Sequence, residues 1–170
     1  VRSQAEYASA FCAVRGPRRV LVVGASTGYG LASRITAAFG AKADTIGVFF
    51  ERPSSGSRTA TAGWYNNEAF EQQARAAGRV AESVNGDAFS DEVKQQVIQL
   101  IRDKLPGGQV DLVVYSIAAP KRCDPATGIT HSSVRKPIGE TFRGRTVDFH
   151  TGEVSMAEIA PAGEGEVENT

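Results

Sequence analysis

Val20-Leu21-Val22-Val23 runs straight into Gly24-Ala25-Ser26-Thr27-Gly28-Tyr29-Gly30, and this stretch decides the fold. Four apolar residues without polar alternation mark a strand buried on both faces, as in the middle of a parallel sheet. Beyond the glycines, Leu31, Ile35 and Phe39 recur at spacings of four, which predicts a helix over 28–39, with Gly40 at its C-terminal cap. Three glycines therefore stand between a strand and a helix. Glycine loses the most backbone entropy on folding and packs nothing, so something must need the missing side chains. Gly24 suits the tight turn off the strand, Gly28 the approach of a ligand to the main chain, and Gly30 close packing of the helix on the strand. Unpaired amides and the positive helix end gather there, which favours a phosphate. A P-loop is excluded because no Gly-Lys-Ser/Thr follows.

Working outward, the same alternation repeats. A helical pattern over 1–15 (Ala5, Ala8, Phe11, Cys12) is stopped by Gly16-Pro17. Thr45 to Phe50 reads as a second buried strand, followed by a Pro/Ser/Gly-rich loop over 51–63. A helix is expected over 67–77, ending at Gly78, and a third strand over 79–84. Ser90 is a good N-cap, with Asp91 and Glu92 in the first turn, for a helix through Val93, Val97, Leu100 and Ile101. Pro106-Gly107-Gly108 ends it, and Val110 to Tyr115 gives a fourth strand. Strands alternating with helices at this spacing predict βαβ units, a parallel sheet and right-handed crossovers. The fold class is α/β, a Rossmann-like doubly wound sheet of the short-chain dehydrogenase kind, and incomplete. After Pro120, turn signals at Asp124–Gly128 and His150–Gly152 predict β-hairpins near the C-terminal end. The whole chain reads as one NAD(H)-binding domain, with a βαβ core to about residue 120 and a hairpin region over about 121–160. The acidic tail AGEGEVENT carries no stop signal, and the chain opens on Val1, so both ends are expected to continue.

Composition narrows the function. Nineteen basic and nineteen acidic residues cancel, so no global field draws the chain to nucleic acid or to an anionic membrane. No apolar run is long enough to span a bilayer, and no signal peptide is visible. Cys12 and Cys123 form no metal or redox spacing, and His131 and His150 stand alone. That pattern points to the cytoplasm, with unpaired thiols and no metal site.

Three further strand ends fill out the ligand. Glu51 closes the second strand 21 positions beyond Gly30, where an acid grips the adenosine ribose. A 2′-phosphate would meet like charge there, at about 4 kcal/mol per charge pair for 4 Å and an effective dielectric near 20. Arg52 next door softens this, so NADH over NADPH is a preference rather than an absolute choice. Asp87-Ala88 falls where an acid reaches the adenine amino group, and Ser116 to Ala119 leaves room for the ribose and nicotinamide half. Ligands of open α/β sheets bind along this edge. An S-adenosylmethionine methyltransferase shares the layout, but Tyr29 and the long GxxxGxG turn suit a pyrophosphate better.

Longer phrases are more specific. VLVVGASTGYGLASRITAAFG, DTIGVFFERP, TAGWYN, NGDAFSDEVKQ, DLVVYSIAAPKR and KPIGETFRG resemble, in order and over nearly the whole chain, the FabV type of enoyl-acyl-carrier-protein reductase, also described as trans-2-enoyl-CoA reductase. The resemblance implies NADH-dependent reduction of the double bond of a 2-enoyl thioester in fatty-acid synthesis. It places the dinucleotide contacts on Gly24, Ala25, Ser26, Thr27, Gly28, Tyr29, Phe50, Glu51, Asp87, Ala88, Ile117 and Ala118. The family has Leu at the position of Ile117, and Pro106-Gly107-Gly108 looks slightly longer than usual. Family members are longer chains whose catalytic tyrosine and lysine lie beyond the matching segment. No catalytic residue is therefore assigned: Tyr115 belongs to the fourth strand and Tyr65 to the expected GWYN loop. The fragment is expected to hold cofactor and turn nothing over alone. The enoyl-ACP or enoyl-CoA thioester would be bound through the C-terminal part, and oligomeric state is left open. The competing reading is a non-catalytic NAD(H)-sensing module.

Overall fold

A computed structural model describes residues 1–13, 15–132 and 136–169; Val14, at the end of the expected N-terminal helix, and Thr170, at the end of the tail, lie outside them. The chain divides into two compact units, Val1–Ala118 and Ala119–Thr170.

The first unit is a parallel sheet of four strands, β1 (Arg19–Val23), β2 (Asp44–Phe49), β3 (Ala81–Asn85) and β4 (Leu112–Tyr115), in the order β3-β2-β1-β4. Register pairs Leu21 with Ile46 and Val113, and Val23 with Val48 and Tyr115, so these side chains share one face. Helices α1 (Arg2–Phe11), α2 (Gly28–Ile35) and α3 (Ala62–Ala76) supply one core cluster, through Ala8, Leu31, Ile35, Phe70 and Ala74. Helix α4 (Asp91–Lys104) packs Val93 and Val97 on Ile46, Val48 and Val84 in a separate cluster. Both faces of the sheet thus carry helix, as a doubly wound α/β fold requires.

Most element ends follow the expected chemistry. The Ser90 hydroxyl accepts from Val93 N at 3.3 Å and caps α4. Gly78 closes α3 at φ +73.

Two expectations are corrected. The helix after the glycines does not run to a cap at Gly40. It changes to a π-turn over Thr36–Gly40, and the left-handed residue that follows is Lys42, at φ +57. Gly40 is glycine for another reason: a Cβ there would stand 2.5 Å from the carbonyl oxygen of Cys12, so its absence admits the end of α1. The GWYN segment is not loop but the first turn of α3, which begins at Ala62 rather than 67. Trp64 packs edge-on against Phe49, with ring centroids 6.0 Å apart, and the Tyr65 hydroxyl accepts from Ala60 N at 3.3 Å. These contacts override the turn-like composition around them.

An arginine sits at the centre of the first unit. Arg34 of α2 is fully buried, with its guanidinium 4.3 Å over the Phe70 ring. It donates to Asn67 Oδ1 (2.8 Å), Ser83 Oγ (2.9 Å), Glu82 O (2.7 Å) and Thr45 Oγ1 (3.2 Å), joining α2, α3, β2 and β3. Burial pulls its pKa down to about 10, with Glu71 opposing the shift, so it stays charged at neutral pH.

Among the described residues the second unit holds two antiparallel hairpins and a short helix. β5 (Lys121–Cys123) pairs with β6 (Thr130–Ser132), and β7 (Phe142–Val147) with β8 (Val154–Ile159). Both turns form where the sequence signals them. Asp124 Oδ1 accepts from Ala126 N at 2.9 Å, and Asp148 Oδ1 from His150 N at 2.7 Å. Helix α5 (Glu164–Asn169) follows, and Glu166 takes an ion pair from Lys136 at 2.6 Å.

Candidate functional site

The C-terminal ends of the four parallel strands lie along one edge of the first unit, and every predicted site residue belongs to that unit. Gly24 N and Ala25 N both donate to Val48 O at 2.9 Å, so the chain turns off β1 while still held by β2. Gly24 adopts φ +89, and a Cβ on it would collide with the carbonyl of Ser116 just past β4. Ile117 lies against the same point, with its Cγ1 3.3 Å from that position. A Cβ on Gly30 would meet the carbonyl oxygen of Gly24, so this glycine lets α2 seat on the turn.

Gly28 differs from both. At φ +54 it has nothing within 4 Å of where a Cβ would stand. Its main chain is therefore bare towards open space at the start of α2. No side chain caps that helix among the described residues; its N-cap, Thr27, makes no such bond. Uncapped amides at a helix start beneath open space form a cradle for an anion such as a diphosphate. Tyr29, the residue after Gly28, and Phe50, just past β2, stand 89% and 78% exposed.

Glu51 is more constrained than its place just after a strand suggests. Its backbone N donates to Asn85 Oδ1 at 2.8 Å, and its carbonyl accepts from Asn85 Nδ2 at 2.9 Å. Its Oε1 accepts from the Ser26 hydroxyl at 2.7 Å and lies against Gly63, where any Cβ would displace it. Arg52 is turned away into its own loop, donating to Thr59 O at 2.9 Å. Asp87 folds back on its own turn: Oδ1 accepts from Phe89 N at 2.9 Å, and its carbonyl from Ser90 Oγ at 2.9 Å. Ala88 lines the groove between α4 and the sheet, together with Val23 and Val48, while Ala118 is exposed.

The sequence reading missed Asn85, Gly63 and Asn66. Asn66 Nδ2 donates to Ser26 O at 3.2 Å, so α3 touches the glycine turn directly. The only available signal was the AGWYNN stretch, which its glycine made look like loop. Among the described residues no group of His, Cys, Asp and Glu could hold a metal ion, and no helix is long and apolar enough to cross a membrane.

Residues 1–56 match a family model described as the NAD(P)H binding domain of trans-2-enoyl-CoA reductase, and residues 58–170 one described as the trans-2-enoyl-CoA reductase catalytic region. The two matches meet in the loop between β2 and α3, so Glu51 and Gly63 fall on opposite sides of that division. Over all 170 residues the chain is 58% identical to an enoyl-[acyl-carrier-protein] reductase [NADH] of Flavobacterium johnsoniae. Over 155 residues, 91% of the chain, it is 63% identical to the enzyme of the same description from Coxiella burnetii. Among solved structures it is 48% identical to Treponema denticola trans-2-enoyl-CoA reductase in complex with NAD, with a TM-score of 0.84 over 98% of this chain. The Clostridium acetobutulicum trans-2-enoyl-CoA reductase in complex with NADH gives 43% and 0.82, again over 98%. The chain spans 42% and 38% of the two curated relatives, and 43% and 42% of the two solved chains.

Proposed function

Because this chain belongs to the trans-2-enoyl-CoA reductase family, the FabV type of enoyl-acyl-carrier-protein reductase, we propose that it forms the NADH-holding part of a 2-enoyl thioester reductase. In the reaction of such an enzyme, hydride passes from NADH to C3 of the thioester. The enolate that forms then takes a proton at C2, leaving a saturated acyl chain and NAD⁺.

The observation that carries the reading is the Ser26–Glu51 contact beside the open main chain of Gly28, all within one unit. The bare start of α2 would take the diphosphate. Tyr29 would flank it, and Gly24 to Thr27 would shape the turn beneath. Glu51 would accept from the adenosine ribose, at about 1.5–3 kcal/mol for a charge-assisted bond. Phe50, Asp87 and Ala88 would border the adenine, and Ile117 and Ala118 the nicotinamide half. Arg52 donates to Thr59 O in its own loop and makes no ion pair with this carboxylate, which supports NADH over NADPH. Neither Tyr115 nor Tyr65 is offered as the acid. Tyr115 belongs to β4, and Tyr65 belongs to the first turn of α3, where its oxygen accepts from Ala60 N. The thioester, on acyl carrier protein or coenzyme A, would then meet residues outside this chain. Unpaired thiols at Cys12 and Cys123 support a cytoplasmic setting.

Titration calorimetry of the chain with NADH tests the reading. Binding is expected, weakened at least tenfold by Glu51→Ala, together with no oxidation of NADH when crotonyl-CoA is added. An absence of heat with well-folded protein overturns the cofactor assignment. Steady turnover of crotonyl-CoA overturns the assignment of the acid to residues elsewhere.

A further inference from the structure

The NADH reading above gives Glu51 a role, but it leaves open why its carboxylate stays where a 2′-phosphate must meet it. An exposed glutamate ordinarily swings among rotamers and would move aside for a bulkier anion. Here three contacts prevent that. Asn85 holds the backbone of Glu51 from both sides, at 2.8 and 2.9 Å. The Ser26 hydroxyl, on a residue only 6% exposed, donates to Oε1 at 2.7 Å. Ser26 is in turn held through its carbonyl by Asn66 Nδ2 at 3.2 Å. Gly63 contributes by omission, because a side chain there would occupy the space the carboxylate fills. Behind Asn66, the next residue, Asn67, accepts from the buried Arg34 and fixes the position of α3.

Resting on the NADH reading, the geometry points to Ser26 and Asn66 as the residues that set nucleotide selectivity, by locking the Glu51 carboxylate against displacement. Asn66 is a positioning residue: it acts on the glycine turn, and the turn acts on Glu51. Oε1 already accepts from Ser26, which leaves Oε2 and the remaining acceptor site of Oε1 for the ribose hydroxyls. A 2′-phosphate meets a fixed negative charge that cannot rotate away. The lock is built across two segments of chain, the glycine turn and the first turn of α3, and needs both.

The selectivity ratio separates this role from a merely structural one. The affinities of the full chain for NADH and for NADPH would be measured by titration calorimetry, for the natural sequence and for Ser26→Ala and Asn66→Ala. Thermal melts would confirm that each variant is folded. The natural chain is expected to prefer NADH. Ser26→Ala is expected to narrow that preference by about tenfold, the worth of one charge-assisted hydrogen bond. Asn66→Ala is expected to narrow it by a smaller factor in the same direction, and being half-buried it carries the test should Ser26→Ala fail to fold. Equal losses of both affinities, or an unchanged ratio, overturn the lock while leaving the NADH reading intact. A natural chain that binds neither dinucleotide overturns that reading, and the lock with it.

Discussion

The carbonyl oxygen of Gly24 fills the space that a Cβ on Gly30 would need, whereas a Cβ on Gly28, two residues earlier, would meet nothing. The two glycines therefore serve different ends, and alanine tells them apart. Gly30→Ala must push the first turn of α2 off the end of β1, at about 1–3 kcal/mol for overpacking. Gly28→Ala keeps the turn and costs about 1–2 kcal/mol for an alanine at positive φ. Its methyl group projects into the open cradle. Urea unfolding with NADH calorimetry should find Gly30→Ala the less stable protein, and Gly28→Ala folded but at least tenfold weaker for NADH. Full affinity in Gly28→Ala would remove that glycine from the binding surface.

The strand–glycine–helix corner was legible because its information is local. Unbroken apolar runs and glycines at fixed offsets state both the parallel sheet and the turn, and β1 to β4 form close to where the pattern puts them. The two hairpins also left a local trace, in the turn residues Asp124 and Asp148. Gly40 misled because two unrelated needs, a helix cap and a close helix crossing, select the same residue. The beginning of α3 was hidden because Trp64 and Tyr65 are held by Phe49 and Ala60, partners that the segment itself does not announce. For the same reason the contacts on Glu51 from Ser26, Asn85 and Gly63 were invisible in sequence: they join three elements that meet only in the folded sheet.

Arg34 offers a test of the core. Its planar fork serves four acceptors on three other elements and stacks on Phe70. Removing the guanidinium takes a donor from Asn67, Ser83, Thr45 and the Glu82 carbonyl, while Glu71 keeps its ion pair with Arg75. Leaving buried acceptors short of a donor costs about 1–3 kcal/mol each. Arg34→Lys should recover little of this, since a single ammonium cannot span the same acceptors or stack on the ring. Urea denaturation reads both variants. A lysine variant within about 1 kcal/mol of the natural chain would show that charge, not fork geometry, is what the core requires.

At the opposite edge of the sheet, Asp111 ties the start of β4 to the start of β1. Its carboxylate accepts from the Arg19 side chain and, at 3.0 Å each, from the backbone N of Arg18 and Arg19. The Arg19 bond, with help from the two amides, holds the Asp111 pKa down to about 2, against an ordinary value of 3.8. A depressed carboxylate contributes stability that is complete above its unfolded pKa and is lost as pH falls through its folded one. The contribution should therefore be full above about pH 4 and fade towards about pH 2. Thermal melts of Asp111→Asn should show a lower Tm at pH 7, with the gap to the natural chain closing across that window. A gap that is constant down to pH 2 would mean that the carboxylate's charge contributes nothing and that the loss comes from the amide's poorer hydrogen bonding.

Helix α4 covers only part of its face of the sheet. Leu21 and Val23 border an apolar groove of about 300 Å³ with Val97, Ile98 and Ile101 of α4. On β4, which pairs only with β1 among the described strands, Val113 is 52% and Tyr115 62% exposed on that same face. An exposed apolar edge strand without a charge or proline is a template for pairing with another chain. The isolated chain should therefore self-associate as its concentration rises, and sedimentation velocity would follow it. Val113→Lys places a charge in the middle of the exposed strand, where natural sheets use lysine to prevent edge pairing. It should shift the distribution towards monomer, with little change in Tm because the valine is already half in water. Association that is indifferent to Val113→Lys would place the sticky surface elsewhere, away from β4.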